Sequence, residues 1–575
     1  MAALIAVVVI VVGGLAVHRR LSRTRTLSLE NMQIAKLTDG GTAVHVGIAP
    51  DGRYVAYAAR AGAKQGLWLR QLAARTEVQI LPPDYGDFLG LTFSPDSNYI
   101  YFVRADKNDL TVRYLYSVPV LGGPVRRLIS HVDSPVSFSP NGREFVYQRF
   151  DPPHNDVQVK IASADGNGEG LLTVIHNGDF LNFNSAPGPE WSPDGQTIAI
   201  PVRLQSTPVR CVLDTISVAD GRIRELFSSS AEYGNIGRPV WLPSGDLLLM
   251  PHWDSASRRT QLWTVSFPGG EAHRLTNDLF DYDTGDLDIT RDGKTIVAIA
   301  ETGLYNIWAA PRADLSKARQ ITYGELPMIW VAEARYGKLL SVSWNFDLWV
   351  MNPDGSQRVP FGDIHTADWL EPCGNFVLFV GTMGGGPLMR ADPDGRRVMQ
   401  LANGNVISPA CSPDSKFAFY VNVDQPQKIW RVPVEGGMPV EIARILGDSI
   451  VDRLSVSPDG KFLAYPYSQS TNSQAVGWNL VVIPAGGGPP LTTFKVSGEI
   501  RNPRWSPDGR GVEYLLIRDA VTNLWEQPLA GGKPKQLTKF TTGHMFDFNW
   551  SADRSRLLLT RGSMSSNVIL LQRSR

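Results

Sequence analysis

This chain of 575 residues has few cysteines, no net charge and few long apolar runs. Its three cysteines, Cys211, Cys373 and Cys411, are too few and too widely spaced for a disulfide framework or a metal-ligand cluster, so we expect buried thiols. The 56 basic residues balance the 56 acidic ones. This argues against a general nucleic-acid binder, because such a protein needs a basic face. Hydrophobic residues make up 43% of the chain, which is enough to bury a core.

Sequence motifs of catalysis are missing as well. The chain has no G-x-S-x-G nucleophile elbow, no phosphate-binding G-x-x-x-x-G-K-[ST] loop and none of the kinase motifs. Its nine histidines are scattered, and none has a second histidine at ligand spacing. We therefore predict a protein that is not an enzyme and that holds no cofactor or metal.

The first apolar run covers residues 2–17 and contains no charge. It has no basic segment before it, and HRRLSR follows it in place of a small-residue cleavage site, so an uncleaved membrane anchor over 1–20 is favoured over a signal peptide. Residues 21–32 would be a linker. The arginines after the run place that side in the cytoplasm by the positive-inside rule, although residues missing upstream could carry the dominant charges.

Beyond the linker, one unit recurs about every 45 residues, and its clearest mark is an S-P-D-G tetrapeptide. Proline presets φ, aspartate caps the turn and glycine accepts the left-handed conformation of a tight hairpin. Alternating apolar residues precede and follow each turn, then come an aromatic third strand, a glycine hairpin and a fourth strand. Four short strands per unit are typical of a β-propeller blade, and about twelve units occur.

Twelve blades are many for one ring, so we predict an all-β fold with two six-bladed propellers in tandem after one transmembrane helix. The first covers 33–310, a linker covers 311–317 and the second covers 318–575. Each would open with a lone outer strand, 34–38 or 318–322, that completes a three-stranded last blade. A seven-plus-five split, or closure of the last blade by 34–38, stays open because the units near 335 and 372 are degenerate.

These repeats resemble the TolB-type, WD-like propeller family over about residues 33 to 575. The final residues, 561–570, also resemble the ends of propellers in bacterial membrane-spanning serine/threonine kinases and winged-helix regulators. That resemblance implies an extracytoplasmic, periplasmic propeller behind a single membrane helix, against the charge rule, and we follow it. It also leaves open that this chain is the sensor half of a kinase or regulator whose output domain lies upstream.

A propeller presents loops around its central channel, and we expect these loops to bind a protein, peptide or glycan ligand as a sensor or scaffold. A propeller-based hydrolase or lyase is the alternative. The acidic run 281–288 could offer Ca²⁺ oxygens but lacks the spacing of a calcium loop, so we interpret it as a polar turn. The candidate ligand-binding residues precede inner strands and are His45, Asp87, Asp133, Arg238, Asp283, Asp286, Asp452, Arg501, His544 and Asp547.

Overall fold

A computed structural model describes residues 32–573, except for 63, 107–111, 152–153, 155, 177, 180–186, 205–209, 230–235, 255, 325, 335, 365–366, 382–385, 423–427, 446–452, 469–477 and 519–520. The predicted membrane anchor and most of the predicted linker lie outside the described residues. Among those that are described, no helix is long and apolar enough to cross a membrane. The all-β prediction is confirmed, since nearly every element is a strand.

The first group of sheets follows the lone strand β1 (Met32–Lys36). Its five consecutive antiparallel sheets are β2 to β5 (Ala43–Ile48, Tyr54–Ala61, Lys64–Gln71, Thr76–Asp84), β6 to β9 (Phe88–Phe93, Tyr99–Ala105, Arg113–Pro119, Arg126–Ser130), β10 to β13 (Ser137–Phe138, Glu144–Asp151, Asp156–Ser163, Gly170–His176), β14 to β18 (Gly178–Asp179, Glu190–Trp191, Thr197–Leu204, Arg210–Ser217, Ile223–Ser229) and β19 to β22 (Val240–Trp241, Leu247–Asp254, Arg259–Ser266, Ala272–Arg274).

Four elements then join the two groups: β23 (Asp281–Ile289), β24 (Thr295–Pro311), a 3-10 helix (Leu315–Lys317) and β25 (Arg319–Gln320). The second group contains β26 to β29 (Met328–Glu333, Leu339–Ser343, Leu348–Met351, Val359–Pro360), β30 to β33 (Asp368–Cys373, Phe376–Val380, Gly386–Ala391, Val398–Cys411), β34 to β36 (Phe417–Asn422, Lys428–Pro433, Val440–Arg444), β37 to β40 (Ser455–Val456, Phe462–Ser468, Trp478–Pro484, Thr492–Val496), β41 to β44 (Ile500–Trp505, Gly511–Arg518, Val521–Pro528, Lys535–Gln536), β45 (His544–Trp550) and β46 (Arg556–Arg573).

The repeated tetrapeptide forms the turn between the first and second strand of a sheet. In the copy at Ser192, the Asp194 carboxylate accepts from the Ser192 hydroxyl at 2.6 Å and from the Gln196 N–H at 3.0 Å. The Ser192 hydroxyl oxygen in turn accepts from the Thr197 N–H at 3.0 Å. Gly195 has φ +76°, which only glycine adopts without strain. The turn is therefore self-contained and explains why the motif recurs in register.

Neighbouring sheets share hydrophobic cores, so each buries its faces against the sheets before and after it. One cluster joins β3 and β4 to β6 and β7 through Ala56, Leu67, Leu91 and Phe102. The circuit of the first group closes because residues of β2 and β3 also share a core with Val297 of β24 and Val568 of β46. The second group has the same arrangement, with Val331 of β26 packed with Leu558 of β46. Sheets that pack side by side in this way are those of a β-propeller.

The strands β24 and β46 are unusually long and pair antiparallel over their whole shared length, from Thr295 with Gln572 to Pro311 with Arg556. Beside one end lie β23 and β1, and beside the other lie β45 and β25. Each closing sheet thus takes one strand from each half of the chain. The three strands expected at the C-terminal unit were a wrong prediction, because residues 556–573 form one continuous strand. The open alternative that 34–38 closes the last blade holds only in part: β1 pairs with the last residues of β46, but in the sheet that closes the first group.

The cysteine prediction was wrong for two of the three residues. Cys373, at the end of β30, and Cys411, at the end of β33, form a disulfide with Cα atoms 5.4 Å apart. The strand β33 pairs first with β32 and then with β34 in one seven-stranded sheet, so the disulfide joins the first strands of two successive units. The two residues precede equivalent turns in successive units, and neighbouring inner strands bring equivalent positions together. The separation of 38 residues in sequence does not indicate this pair. The two cysteines meet because they occupy similar places in successive structural units. Cys211 is a buried free thiol, as expected.

Candidate functional site

The polar side chains at the centre of each group come from the first strand of each sheet. They stand four or two residues ahead of the repeated turn. Four residues ahead are His45, Arg238 and Asp286 in the first group and Arg453, Asn502 and Asp547 in the second. Two residues ahead are Glu190 and Asp288, and Arg504 in the second group. In several of these strands a β-bulge at this point offsets the register, as between Arg501 and Arg504. Such bulges re-aim side chains and are common next to functional sites.

His45 and Asp286 form the centre of the first group. The His45 ring lies with Nε2 2.8 Å from the Phe88 carbonyl oxygen and Nδ1 3.0 Å from an Asp286 carboxylate oxygen. A carbonyl only accepts, so Nε2 carries a proton, and a second proton on Nδ1 makes the ring an imidazolium. Burial works to lower the pKa of His45, but the charge and hydrogen bond of Asp286, together with the Asp283 charge and the Phe88 carbonyl, outweigh it and the pKa is raised. Asp286 also accepts from the Val46 N–H at 2.9 Å, which ties the first sheet to the last.

Further carboxylates surround this pair. Asp283 accepts from the Gly285 N–H at 2.6 Å. Burial, and then the charges of Asp286 and Glu301, raise its pKa well above the usual range. Burial and the Asp281 charge raise the pKa of Glu301. These acids hold protons more readily than free ones, and no group of three or more ligating side chains in the described residues is arranged for a metal ion.

Arg238 crosses the centre of the first group. Its side chain is almost fully buried and donates to the Leu91 carbonyl oxygen at 3.2 Å, while Nη2 lies 3.5 Å from Glu190 Oε2. Burial, partly opposed by Arg238, raises the pKa of Glu190 to about 7. A side chain that spans from the fifth sheet to the second fills the channel at this level. The first channel is therefore plugged by a polar network.

The second group is plugged by two arginines. Arg453 is 1% exposed and lies 3.2 Å from Glu371 Oε2, and Arg504 lies 3.4 Å from the same oxygen. Arg504 also lies 3.5 Å from Asp547, whose other carboxylate oxygen accepts from the Val331 N–H at 3.1 Å. Asp547 thus occupies the place that Asp286 has in the first group.

Aromatic rings cover the arginines of the second group. Trp330 and Trp369 stack with ring centres 5.2 Å apart, and the Arg453 guanidinium lies 4.8 Å from the Trp330 ring centre. Trp369 has φ +53°, and Ser408 and Asn502, at the bulges of other inner strands, have φ +57° and +49°. Positive φ is strained for a bulky residue, and such strain clusters at functional sites.

Both groups present the same end to each other, because β24 leaves the first group after a second strand and enters the second group as a third strand. The loops between second and third strands meet there. Arg258 of the first group pairs with the Asp347 carboxylate and donates to the Asn345 carbonyl oxygen at 2.6 Å. Burial, and then the charges of Arg60 and Arg501, lower the pKa of His544, although Arg60 belongs to the first group and Arg501 to the second. The two groups therefore contact each other at the ends where the loops between their second and third strands meet.

The remaining candidates occupy separate places around the mouths. Asp87 accepts from the Gln65 amide at 2.6 Å, and burial raises its pKa. Asp133 accepts from Arg113 at 2.9 Å and from the Phe150 N–H at 2.9 Å. Arg501 donates to Glu499 at 2.6 Å. Asp452 lies outside the described residues.

Sequence reasoning missed Glu190, Glu371, Arg453 and Arg504. The signal that could have found three of them is position relative to the turn: Arg453 stands four residues before Ser457, Glu190 two before Ser192 and Arg504 two before Ser506. Glu371 carries no such signal, because its turn is one of the degenerate copies.

None of the known protein-family models matches this chain, and no curated protein matches it. Among solved structures, the tricorn protease is similar at 16% identity and TM-score 0.32, over 85% of this chain and 49% of that one. A protein described as TolB from Agrobacterium tumefaciens is similar at 14% identity and TM-score 0.31, over 51% of this chain and 86% of that one. TolB from Acinetobacter baumannii is similar at 12% identity and TM-score 0.29, over 71% and 98%.

The chain thus spans about half the length of the tricorn protease. TolB is the family that the turn motif resembles, and none of these three structures is a kinase sensor or a winged-helix regulator. At these TM-scores the similarities add no argument about the site, and the fold assignment rests on the sheets themselves.

Proposed function

We propose that the chain forms two six-bladed propellers, over 33–310 and 318–575 with 311–317 between them, and that each is closed by a strand from the other half. The shared cores support six blades in each ring, since the circuit of sheets returns to β2 in one group and to β26 in the other. The pairing of β24 with β46 supports a fixed orientation of one ring relative to the other. Two paired strands run from ring to ring, so the rings are joined by more than a flexible linker.

We propose that this double propeller is a non-catalytic binding module whose ligand is a peptide or an exposed segment of a protein. The observation that carries the proposal is the pair of half-buried aromatic rings over the buried charges of the second group: Trp330 and Trp369 stack, and the Arg453 guanidinium lies 4.8 Å from the Trp330 ring centre. Aromatic and arginine side chains dominate binding energy at protein interfaces. Beneath the rings, Arg453 and Arg504 both lie beside the Glu371 carboxylate, which favours a fixed receptor surface over a reactive site.

We propose further that the chain is anchored in a membrane by residues 1–20 with both propellers outside the cytoplasm. The disulfide between Cys373 and Cys411 supports this side, because disulfides persist in oxidising compartments and are rare in the cytosol. Protease added to intact cells that express the full chain should digest the propellers. Protection in intact cells, with digestion only after lysis, would place them in the cytoplasm.

The binding role is tested by panning a displayed random twelve-residue peptide library against the purified full chain in detergent. Enriched peptides are then synthesised with a fluorophore. Their fluorescence anisotropy should increase when the native chain is added and should not increase with the heat-denatured chain. They should also stay intact after prolonged incubation, since no hydrolysis is expected. Failure to enrich any specific peptide, or steady cleavage of the bound ones, would refute the proposed function.

A further inference from the structure

An open groove lies on the outside of the second group, between the sheet that closes it and the sheet that follows. One wall is the segment 321–323, just after β25, and the other is the hairpin 352–358 that joins β28 to β29. The volume of the groove is about 410 Å³, which is within the range of small-molecule sites. Because these walls belong to outer strands, the groove is separate from Trp330 and Trp369, which lie on inner strands.

Tyr323 presents an aromatic ring to this groove. The residue is 73% exposed, yet its hydroxyl donates to the Gln320 carbonyl oxygen at 3.2 Å. The segment that carries it is also fixed, since the Ile321 N–H donates to the Ile307 carbonyl oxygen at 2.8 Å. A ring that is exposed and already held in place loses little conformational entropy when a ligand stacks on it.

Arg358 supplies hydrogen-bond donors from the hairpin wall. Its side chain is half-buried, and the guanidinium lies 5.4 Å from the ring centre of Trp349. Among the residues that the structure describes, it has no hydrogen-bond or ion-pair partner. Its planar set of N–H donors therefore stays available to a ligand.

Asp354 supplies acceptors from the turn of the same hairpin. Its carboxylate accepts from the Ser356 N–H at 3.0 Å. Hydrogen bonds from the Ser356 hydroxyl and then from this N–H lower the pKa of Asp354, so the exposed carboxylate is charged near neutral pH. Gly355 has φ +84°, and a Cβ there would collide with the Ile321 carbonyl oxygen. The turn therefore packs directly against the opposite wall, and both walls keep a fixed distance.

The equivalent place in the first group is filled by side chains. There the Leu37 carbonyl oxygen, just after β1, accepts from Arg70 at 2.6 Å, and Arg70 lies 3.9 Å from Glu77. Counted from the Leu-Trp pair in the third strand of each sheet, Met351 and Arg358 stand where the first group has Arg70 and Glu77. A methionine has no strong donor, so the second group leaves this carbonyl and its arginine unjoined.

The charges on the walls favour a neutral ligand. An anion would be repelled by the Asp354 carboxylate, and a cation would be repelled by the Arg358 guanidinium. A sugar hydroxyl both donates and accepts hydrogen bonds, so it can bond to both groups. The C–H face of a pyranose ring is weakly positive, and it stacks on the negative face of an aromatic ring such as that of Tyr323.

We propose that this groove binds a neutral saccharide, with one pyranose ring stacked on Tyr323 and its hydroxyls hydrogen-bonded to Arg358 and Asp354. The inference goes beyond the proposed function and does not rest on it, because the saccharide groove and the aromatic surface share no residue. It gives the double propeller a second ligand of a different chemical class.

The test is saturation-transfer difference NMR at pH 6 on the purified full chain, in a detergent without a sugar headgroup. The neutral probes are maltose, cellobiose, lactose and diacetylchitobiose. Cellobiouronic acid is the anionic probe and chitobiose, with free amines, is the cationic one. Dissociation constants are measured for the wild type, Tyr323→Ala, Arg358→Gln and Asp354→Asn. The control is Tyr85→Ala, because Tyr85 is also an exposed tyrosine, at 56%, but lies in the first group. Far-UV circular dichroism and urea midpoints establish that the variants fold alike.

We expect at least one neutral probe to bind the wild type, and Tyr323→Ala and Arg358→Gln each to weaken that binding about tenfold, through loss of the stacking face and of a charged hydrogen bond. Tyr85→Ala should change the dissociation constant less than about twofold. The anionic probe should bind the wild type more weakly than neutral cellobiose, and Asp354→Asn should narrow that difference because the repelling charge is gone.

Three results would overturn the inference. One is that no neutral probe binds the wild-type chain. Another is that a neutral probe binds Tyr323→Ala and Tyr85→Ala equally well, which would place the sugar elsewhere. The third is tighter binding of the anionic or the cationic probe than of every neutral one. Each of these results leaves the proposed peptide binding untouched, because the panned peptides test a different surface.

Discussion

In each channel an aspartate links the last sheet to the first, but the second partner of this aspartate differs between the two channels. In each, an aspartate four residues before the last turn accepts from the inner strand of the first sheet: Asp286 from Val46 and Asp547 from Val331. In the first channel this aspartate faces His45, a base that can lose its proton. In the second it faces Arg504, which stays charged at every accessible pH. We call each of these contacts between the last and the first sheet of a group a seam. Only the seam of the first group can therefore change its charge with pH.

The surroundings of the two seams differ in the same sense. The first holds several carboxylates with raised pKa, such as Asp283 and Glu301, and an arginine that crosses the channel. The second stacks indoles over a guanidinium and keeps Trp369 in a strained backbone conformation. A titratable network suits closure of a ring, whereas a fixed charge under aromatic rings suits a surface that meets a ligand.

The largest effect should come from Gly562, where β46 lies close against β24 as both strands pass from one ring to the other. A Cβ at this residue would lie 1.7 Å from the Leu304 carbonyl oxygen, so β24 and β46 could not keep their distance at the crossing. We expect Gly562→Ala to cost about 4 kcal/mol or more in free energy of unfolding. The measurement is the urea midpoint of the full chain.

The matched control is Gly486→Ala, because a Cβ at Gly486 meets nothing within 4 Å. It should leave the midpoint within about 0.5 kcal/mol of the wild type. Equal midpoints for the two variants would show that the strand exchange does not hold the rings together.

The next effect separates the seams directly. Asp547→Asn leaves the Arg504 charge buried with only Glu371 beside it, and we expect a loss of about 3 kcal/mol. Asp286→Asn lets His45 become neutral, so the loss should be about 1 kcal/mol. Chemical unfolding at pH 8 measures both. The second change Arg504→Met should restore most of what Asp547→Asn loses, and equal losses for the two aspartates would remove the distinction between the seams.

Much of the fold follows from the sequence because each unit carries its own turn chemistry. The Ser, Asp and Gly of the turn at Ser192 satisfy one another within six residues, so a local pattern reports a local structure. The exchange of strands does not follow, since residues 306–308 and 556–573 have the same alternation whether they continue a strand or begin a new one. Gly303 and Gly562 mark the crossing, but a glycine in a strand has too many other causes to reveal it.

The candidate site was found in part for a similar reason. His45, Asp286 and Asp547 lie at the channel because they stand at a fixed distance from a recognisable turn. Arg453 stands four residues and Arg504 two residues before its turn, but their shared contact with Glu371 depends on sheets far apart in sequence.

The smallest effect is a pH dependence with one source in each group. Burial raises the pKa of Glu190 to about 7, and burial raises that of Glu513, which accepts from the Trp550 N–H at 2.7 Å, to about 8. Both folded values exceed the ordinary value of 4.5, so between that pH and the folded pKa the unfolded chain has released a proton that the folded chain keeps. Stability must therefore fall as pH rises through these windows.

Glu190→Gln should remove the part of this fall that ends near pH 7, and Glu513→Gln the larger part that extends to about pH 8. Urea midpoints from pH 5 to 9 measure the slopes. His45 contributes in the same direction, since a raised histidine pKa stabilises the fold at low pH and loses that effect as pH rises, so Glu190→Gln should leave a residual slope in the first group. A stability that rises with pH over this interval in the wild-type chain would contradict the buried, proton-holding glutamates of both groups.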